Sequence, residues 1–232
     1  MLGQVGPTAY DLRFVIFGIP VRVHPAFWIL GTILGWRTGD GEAGDMRLKL
    51  LLLWLLCLFV SILVHELGHA LTAKAFGWPP EIVLCHFGGY AAFMPDHGYT
   101  HARSILVSFA GPFAGFLLCG VVVGVWVALE MAGTPINEVG LSAIWNMIWI
   151  NLGWGIINLL PVLPLDGGQI CREVCRWISP QNGMTWSLWI AVIFGGLACV
   201  VFLKIGLPFA AIMFGFLGYQ SFQSLQAPRG RW

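Results

Sequence analysis

Long apolar runs separated by short polar breaks set the pattern of this chain. At about 20 apolar residues per membrane crossing, spans are predicted near residues 14 to 36, 48 to 73, 104 to 130 and 141 to 160. A last apolar stretch, 185 to 222, is interrupted between Lys204 and Pro208. A single helix over it would be about 57 Å long against a hydrocarbon core of about 30 Å, so two spans with a tight turn are expected. Residues 78 to 101 are too broken by Pro and Gly to span; the short runs Ile82 to Leu84 and Tyr90 to Phe93, separated by Gly88 and Gly89, predict a small β-hairpin or re-entrant loop. Residues 166 to 179 predict a polar, interfacial helix starting at an Asp-Gly-Gly turn.

Inside the second span the pattern is broken by charge. The segment from Ile62 to Gly77 carries His65, Glu66, His69 and Lys74, although one isolated ionisable side chain at membrane depth costs about 2.5–3.5 kcal/mol. His65-Glu66-Leu67-Gly68-His69 is an HExxH sequence. On a helix the i,i+4 spacing puts both imidazoles on one face, where they can share a zinc ion, and Glu66 can reach a metal-bound water as general base. Two histidines and a glutamate packed in a bundle is the plain structural alternative, and it is poorer in a membrane, where polar groups usually mark function.

Composition sharpens the class. Hydrophobic residues make up 58% and charged residues 10% of 232 residues, which points to an integral membrane protein rather than a soluble one. The net charge of +1 comes without a basic patch, so no nucleic-acid partner is expected. Six scattered cysteines argue against a disulfide framework; Cys171 and Cys175 read as two small side chains on an amphipathic helix. The N-terminus lacks the features of a removable signal peptide, so the first apolar segment is expected to remain as a span.

Lys and Arg near the span ends set the orientation. With six spans and a cytoplasmic N-terminus, Arg13, Lys74, Arg103, Arg172, Arg176, Arg229 and Arg231 lie on the cytoplasmic side, and Arg37, Arg47, Lys49 and Lys204 on the other. Both termini are therefore expected in the cytoplasm, with His65 and His69 in the cytoplasmic third of span 2. Catalytic zinc takes three protein ligands and leaves a fourth position to water, so a third ligand must come from elsewhere. Span 4 runs the same way as span 2 and delivers Asp166 just beyond its end, the only acid between Glu138 and Glu173.

These motifs resemble the site-2 protease family of intramembrane zinc metalloproteases. The resemblance rests on His65 to His69 within a span and on Asn158-Leu-Leu-Pro-Val-Leu-Pro-Leu-Asp-Gly-Gly168, and extends to residues 109 to 115 and 21 to 28. It implies one Zn2+ per chain held by His65, His69 and Asp166, with Glu66 as base. Asn158 would position the substrate or stabilise the developing oxyanion. Pro161 and Pro164 would hold the loop open for Asp166 to turn back toward the metal, with backbone freedom supplied by Gly167 and Gly168. Residues 82 to 93 would receive an extended substrate by strand addition, which makes Pro164, Gly88 and Gly89 candidate substrate-binding residues.

The implied fold class is an all-α membrane protein: about six transmembrane helices, a three-helix catalytic core from spans 2 to 4, and the small re-entrant or β-hairpin element after span 2. Residues 1 to 232 read as a single polytopic domain without a PDZ-like or nucleotide-binding regulatory module. The implied activity is hydrolysis of a peptide bond in or near the membrane segment of a single-span protein, in regulated intramembrane proteolysis. The implied setting is a bacterial or archaeal plasma (inner) membrane, with the lipid bilayer and a regulatory membrane protein as further partners. A catalytically silent client-binding protein or a metal transporter is the competing class. A transporter would spread polar residues along a path, and spans 3, 5 and 6 offer almost none.

The remaining polar residues have simpler readings. His24 caps the first span. His86, His97 and His101 are loop histidines, although the spacing of His97 and His101 with Asp96 would allow a second metal. Asn151 either orients the site from behind or makes an interhelical contact. Gly111, Gly115, Gly120 and Gly124 predict close helix packing, and Lys49 and Lys74 read as snorkelling anchors.

Overall fold

A computed structural model describes residues 6–36, 38, 41, 44–86, 88–95 and 98–226. Arg37, Asp96, His97, Arg229 and Arg231, which entered the charge count and the loop-histidine pair, lie outside the described residues. The chain divides into two compact units: residues 1–98 with 110–156, and residues 99–109 with 157–232.

The first unit opens with a hairpin where a membrane span was expected. Strands β1 (Leu12–Ile16) and β2 (Ile19–Val23) are joined by Phe17 and Gly18, both at positive φ (52° and 70°), as tight two-residue hairpin turns require. In β2, Ile19, Val21 and Val23 are buried, whereas Pro20 is exposed and Arg22 half-buried, so the run is two-periodic and half-buried rather than uniformly lipid-facing. His24 then caps α1 (Pro25–Gly35), its Nδ1 accepting from the Ala26 N–H at 3.1 Å. The helix capped is 11 residues, about 16 Å, too short to cross.

Helix α2 (Gly44–Ala75) is followed by strands β3 (Pro80–Cys85) and β4 (Gly88–Phe93), the hairpin expected after span 2. It belongs to a larger sheet of order β1-β2-β3-β4, in which β2 and β3 pair in parallel and β4 is an edge. Ile19, Val21, Val23, Ile82 and Leu84 pack with Phe27 of α1 and Leu58 and Ile62 of α2 into one core. Besides the snorkelling role expected of it, Lys74 makes a contact the sequence did not suggest: its Nζ donates to the Phe17 carbonyl at 2.7 Å, tying the end of α2 to the N-terminal turn.

Helix α3 (His101–Met131) contributes its first residues to the second unit and the rest to the first. Next come α4 (Glu138–Ile148), a π-helical segment (Trp149–Trp154) and α5 (Gly155–Asn158), in one helical run. The second unit holds α6 (Asp166–Ile178), α7 (Gly183–Lys204) and α8 (Pro208–Gln226). The expected turn falls at Ile205–Leu207, with Gly206 at φ 77°. A β-carbon on Gly195 would lie 2.9 Å from the Gly218 Cα, so α7 and α8 approach almost backbone to backbone.

Among the described residues, four helical runs are long and apolar enough to cross a membrane: Gly44–Ala75, His101–Met131, Glu138–Asn158 and Gly183–Lys204. Six were expected. The first became a hairpin and a short helix, and α8 at 19 residues is less apolar than α7. The chain is a multi-pass membrane protein, mostly helical with one small sheet.

Candidate metal centre

The HExxH residues lie toward the C-terminal end of α2, and His65, Glu66 and His69 are only 6%, 5% and 7% exposed. One turn separates the histidines, and their Nε2 atoms approach to 3.2 Å. Two nitrogens bound at 2.0–2.1 Å to one tetrahedral zinc would be about 3.3–3.4 Å apart, so the pair has the spacing of two ligands sharing an ion.

Glycines make room for these side chains. A β-carbon on Gly111 of α3 would fall 2.1 Å from His69 Nε2, and one on Gly68 would fall 2.3 Å from the Ala110 carbonyl oxygen. Gly111 is thus a cradle for the His69 imidazole, a candidate ligand, not merely one of a packing stripe. Gly115 faces Asn151 Oδ1 at 3.5 Å from where a β-carbon would stand, while Gly120 and Gly124 have nothing within 4 Å, which corrects the expectation that all four mediate helix contact. On the sheet side, Gly89 lies directly against Glu66, and a β-carbon on Gly88 would meet the Trp154 ring at 3.6 Å.

Asn151, buried in the π-helical segment, donates from Nδ2 to Ser61 Oγ and to the Met147 carbonyl, both at 2.8 Å. Ser61 stands one turn before His65 on α2. The two roles considered for Asn151 therefore coincide: an interhelical hydrogen bond that also steadies the ligand-bearing helix. Wide π turns recur at functional sites. Sequence reasoning missed Ser61 and Gly111; the signal for Ser61 was a hydroxyl four residues before a ligand in an otherwise apolar run.

In the second unit Asp166 is the first residue of α6, where the positive end of the helix dipole favours an ionised carboxylate. Gly167 and Gly168 are helical rather than a flexible turn, and close approach is what requires them: β-carbons there would fall 2.1 Å from the Leu159 carbonyl oxygen and 2.5 Å from the Val162 carbonyl carbon. Asn158, 9% exposed, ends α5. Pro164 is exposed and follows a cis peptide bond from Leu163.

The donor set expected from the sequence comprises His65 and His69 of the first unit and Asp166 of the second. Two imidazoles and a carboxylate form a catalytic-type zinc donor set that leaves the fourth position open. Donor chemistry, nitrogen spacing and the Gly111 cradle all fit that ion.

A membrane protein with several spanning helices and a buried HExxH group is the class that fold and site define. The model of peptidase family M50 matches residues 53–133 and 127–203, well over half of the chain; the chain belongs to that family. The Synechocystis sp. protein sll0528 is 31% identical over 224 residues, covering 89% of this chain and 57% of its own length. Zinc metalloprotease MJ0392 of Methanocaldococcus jannaschii is 31% identical over 203 residues, covering 85% of this chain and 54% of its own. The chain thus spans little more than half the length of these two relatives. The solved site-2 protease from Methanocaldococcus jannaschii matches with a TM-score of 0.60 at 27% identity, over 96% of this chain and 99% of that one.

Proposed function

We propose that this chain is an intramembrane zinc metalloprotease that hydrolyses a peptide bond in or near the transmembrane segment of single-span membrane proteins, in regulated intramembrane proteolysis. The observation that carries the proposal is the buried pair His65 and His69 on a helix apolar enough to cross a membrane, with Nε2 atoms 3.2 Å apart and Glu66 between them in sequence. Asp166, the first residue of α6, would complete a two-imidazole, one-carboxylate donor set, and relatives named as a zinc metalloprotease and a site-2 protease support zinc and proteolysis.

Bound zinc would supply Lewis acidity, making a water acidic near neutral pH and polarising the scissile carbonyl. Glu66 would take the proton from the attacking water and pass it to the leaving amine. The Asn158 side-chain amide would donate to the carbonyl oxygen as negative charge develops there, or hold the substrate. A helical peptide bond is shielded by its own hydrogen bonds, so the substrate must unwind locally. The edge of β4, with Gly88 and Gly89 beside Glu66, would take an extended segment by strand addition, and exposed Pro164 would be a further substrate-binding residue.

The reading also includes an active site toward the cytoplasm, cytoplasmic termini and a plasma (inner) membrane location. Zinc content tests the metal half of the proposal. Purified wild-type protein should hold close to one tightly bound zinc per chain, and Asp166→Ala should lose it. Weakly held zinc unaffected by Asp166→Ala would favour a transported ion instead.

A further inference from the structure

Glu173 is a buried acid that the proposed reaction does not use. It is 2% exposed, on α6, two helical turns beyond Asp166. Three donors converge on it: the Tyr99 hydroxyl donates to Oε2, His101 Nδ1 lies 2.8 Å from the same oxygen, and Arg172 Nη2 lies 3.3 Å from Oε1. A carboxylate can only accept, so His101 Nδ1 carries the proton. Trp177, one turn further along α6, stacks on the His101 ring with centroids 6.3 Å apart.

The electrostatics agree with the geometry. Burial alone would push the Glu173 carboxyl up, but the hydrogen bonds from Tyr99 and His101 and the charges of Arg172 and Arg176 outweigh it and hold the group below the usual glutamate range. Tyr99 is pushed up to about 12, by burial first and then by the hydrogen bond to Glu173. Glu173 is therefore an ionised, fully engaged carboxylate, costly to bury without these partners.

Its place in the chain gives it more than a local effect. Glu173 shares a 13-residue helix with Asp166, and the N-terminal end of that helix is already fixed by the close approach of Gly167 and Gly168 to residues 159–162. His101 is the first residue of α3, the helix that ten residues later presents Gly111 to His69. One helix therefore carries both the cradle of a histidine ligand and the anchor of the helix that bears the carboxylate. We propose that Tyr99 and His101, closing on the buried Glu173 carboxylate, form a polar latch that orients α6 and thereby positions Asp166 as a metal ligand. This rests on the reading of Asp166 as the third zinc ligand, and Glu173 is a positioning residue within it.

The test uses the full chain in detergent, comparing wild type, Glu173→Gln, Tyr99→Phe, Asp166→Ala and, as a destabilised control away from the latch and from the segment leading into Asp166, Trp78→Phe at a buried position of the first unit. Zinc affinity is read by chelator competition and ligand geometry by the visible spectrum of the cobalt-substituted protein. Glu173→Gln is expected to weaken zinc binding by about tenfold, in the range seen for residues behind metal ligands, and to alter the cobalt spectrum. Tyr99→Phe, a smaller change that tests the latch even if Glu173→Gln does not fold, is expected to act in the same direction by less. Trp78→Phe is expected to lower thermal stability and leave the spectrum as in wild type. If Asp166→Ala loses the metal while Glu173→Gln and Tyr99→Phe bind zinc and cobalt as wild type does, the latch is wrong and the ligand reading stands. If Trp78→Phe reproduces the spectral change, loss of stability alone explains it and the latch is wrong. If Asp166→Ala retains tight zinc, both fall.

Discussion

A β-carbon added at Gly89 would lie 2.8 Å from the Cγ of Glu66 and 3.0 Å from its Oε1. The edge strand and the HExxH glutamate are thus in direct register, with only a hydrogen atom's room between them. Gly89→Val is expected to displace the Glu66 carboxylate and lower kcat/KM by about 100-fold, the order of loss that follows a 1 Å misplacement of a reacting group. Zinc content should stay at the wild-type level, because neither histidine is touched. Steady-state cleavage kinetics and metal analysis on the same preparation check both halves.

The glycines of α3 separate cleanly into two kinds. Gly111→Ala would drive a methyl group to within 2.1 Å of His69 Nε2, whereas Gly120→Ala meets nothing within 4 Å. Gly111→Ala is expected to weaken zinc binding by tenfold or more, and Gly120→Ala to leave it unchanged. Equal zinc content in the two variants would remove the cradle from the account.

The hydrogen bond from Asn151 to Ser61 joins the π-helical segment to α2 one turn before His65. A double-mutant cycle of Ser61→Ala and Asn151→Ala, measured by unfolding in mixed micelles, is expected to give a coupling of about 0.6 kcal/mol and at most about 1.7 kcal/mol. Additive single effects would mean that the two side chains are neighbours without energetic consequence.

Acid should loosen the second unit through Glu173. Its carboxyl is held below the ordinary value of 4.5, so its contribution to stability is fully present above that value and is lost as pH falls through the lower folded-state pKa. The thermal midpoint of wild type is expected to drop as pH falls below about 4.5, and that of Glu173→Gln to start lower and depend less on pH. Parallel curves for the two proteins would contradict the assignment.

Much of the site was legible in the sequence because its chemistry is local. The i,i+4 spacing of His65 and His69 needs only a helix, and Asp166 stood out as the lone acid over a long apolar interval. The N-terminal hairpin was not legible by the same means: residues 14 to 36 are apolar enough to read as a span, and hydropathy outweighed the alternation of Ile19, Val21 and Val23 with Pro20 and Arg22. The glycines misled for another reason. Gly167 and Gly168 read as flexible and Gly120 as packed, but whether a missing side chain serves conformation, contact or neither depends on which atoms lie opposite, and sequence does not contain that. Lys74 read only as an anchor to lipid headgroups because its partner, the Phe17 carbonyl, lies 57 residues away on an element the hydropathy had hidden.

The central claim is that Glu66 performs the proton transfers of a zinc-dependent cleavage. Wild type and Glu66→Gln, purified with equal zinc content and reconstituted with a single-span substrate, provide the most direct measurement. Wild type is expected to cleave in a reaction that stops on zinc chelation and returns on readdition, and Glu66→Gln to show no detectable cleavage. Cleavage by Glu66→Gln at the wild-type rate, or no cleavage of any span-containing substrate by the zinc-replete wild type, would contradict it.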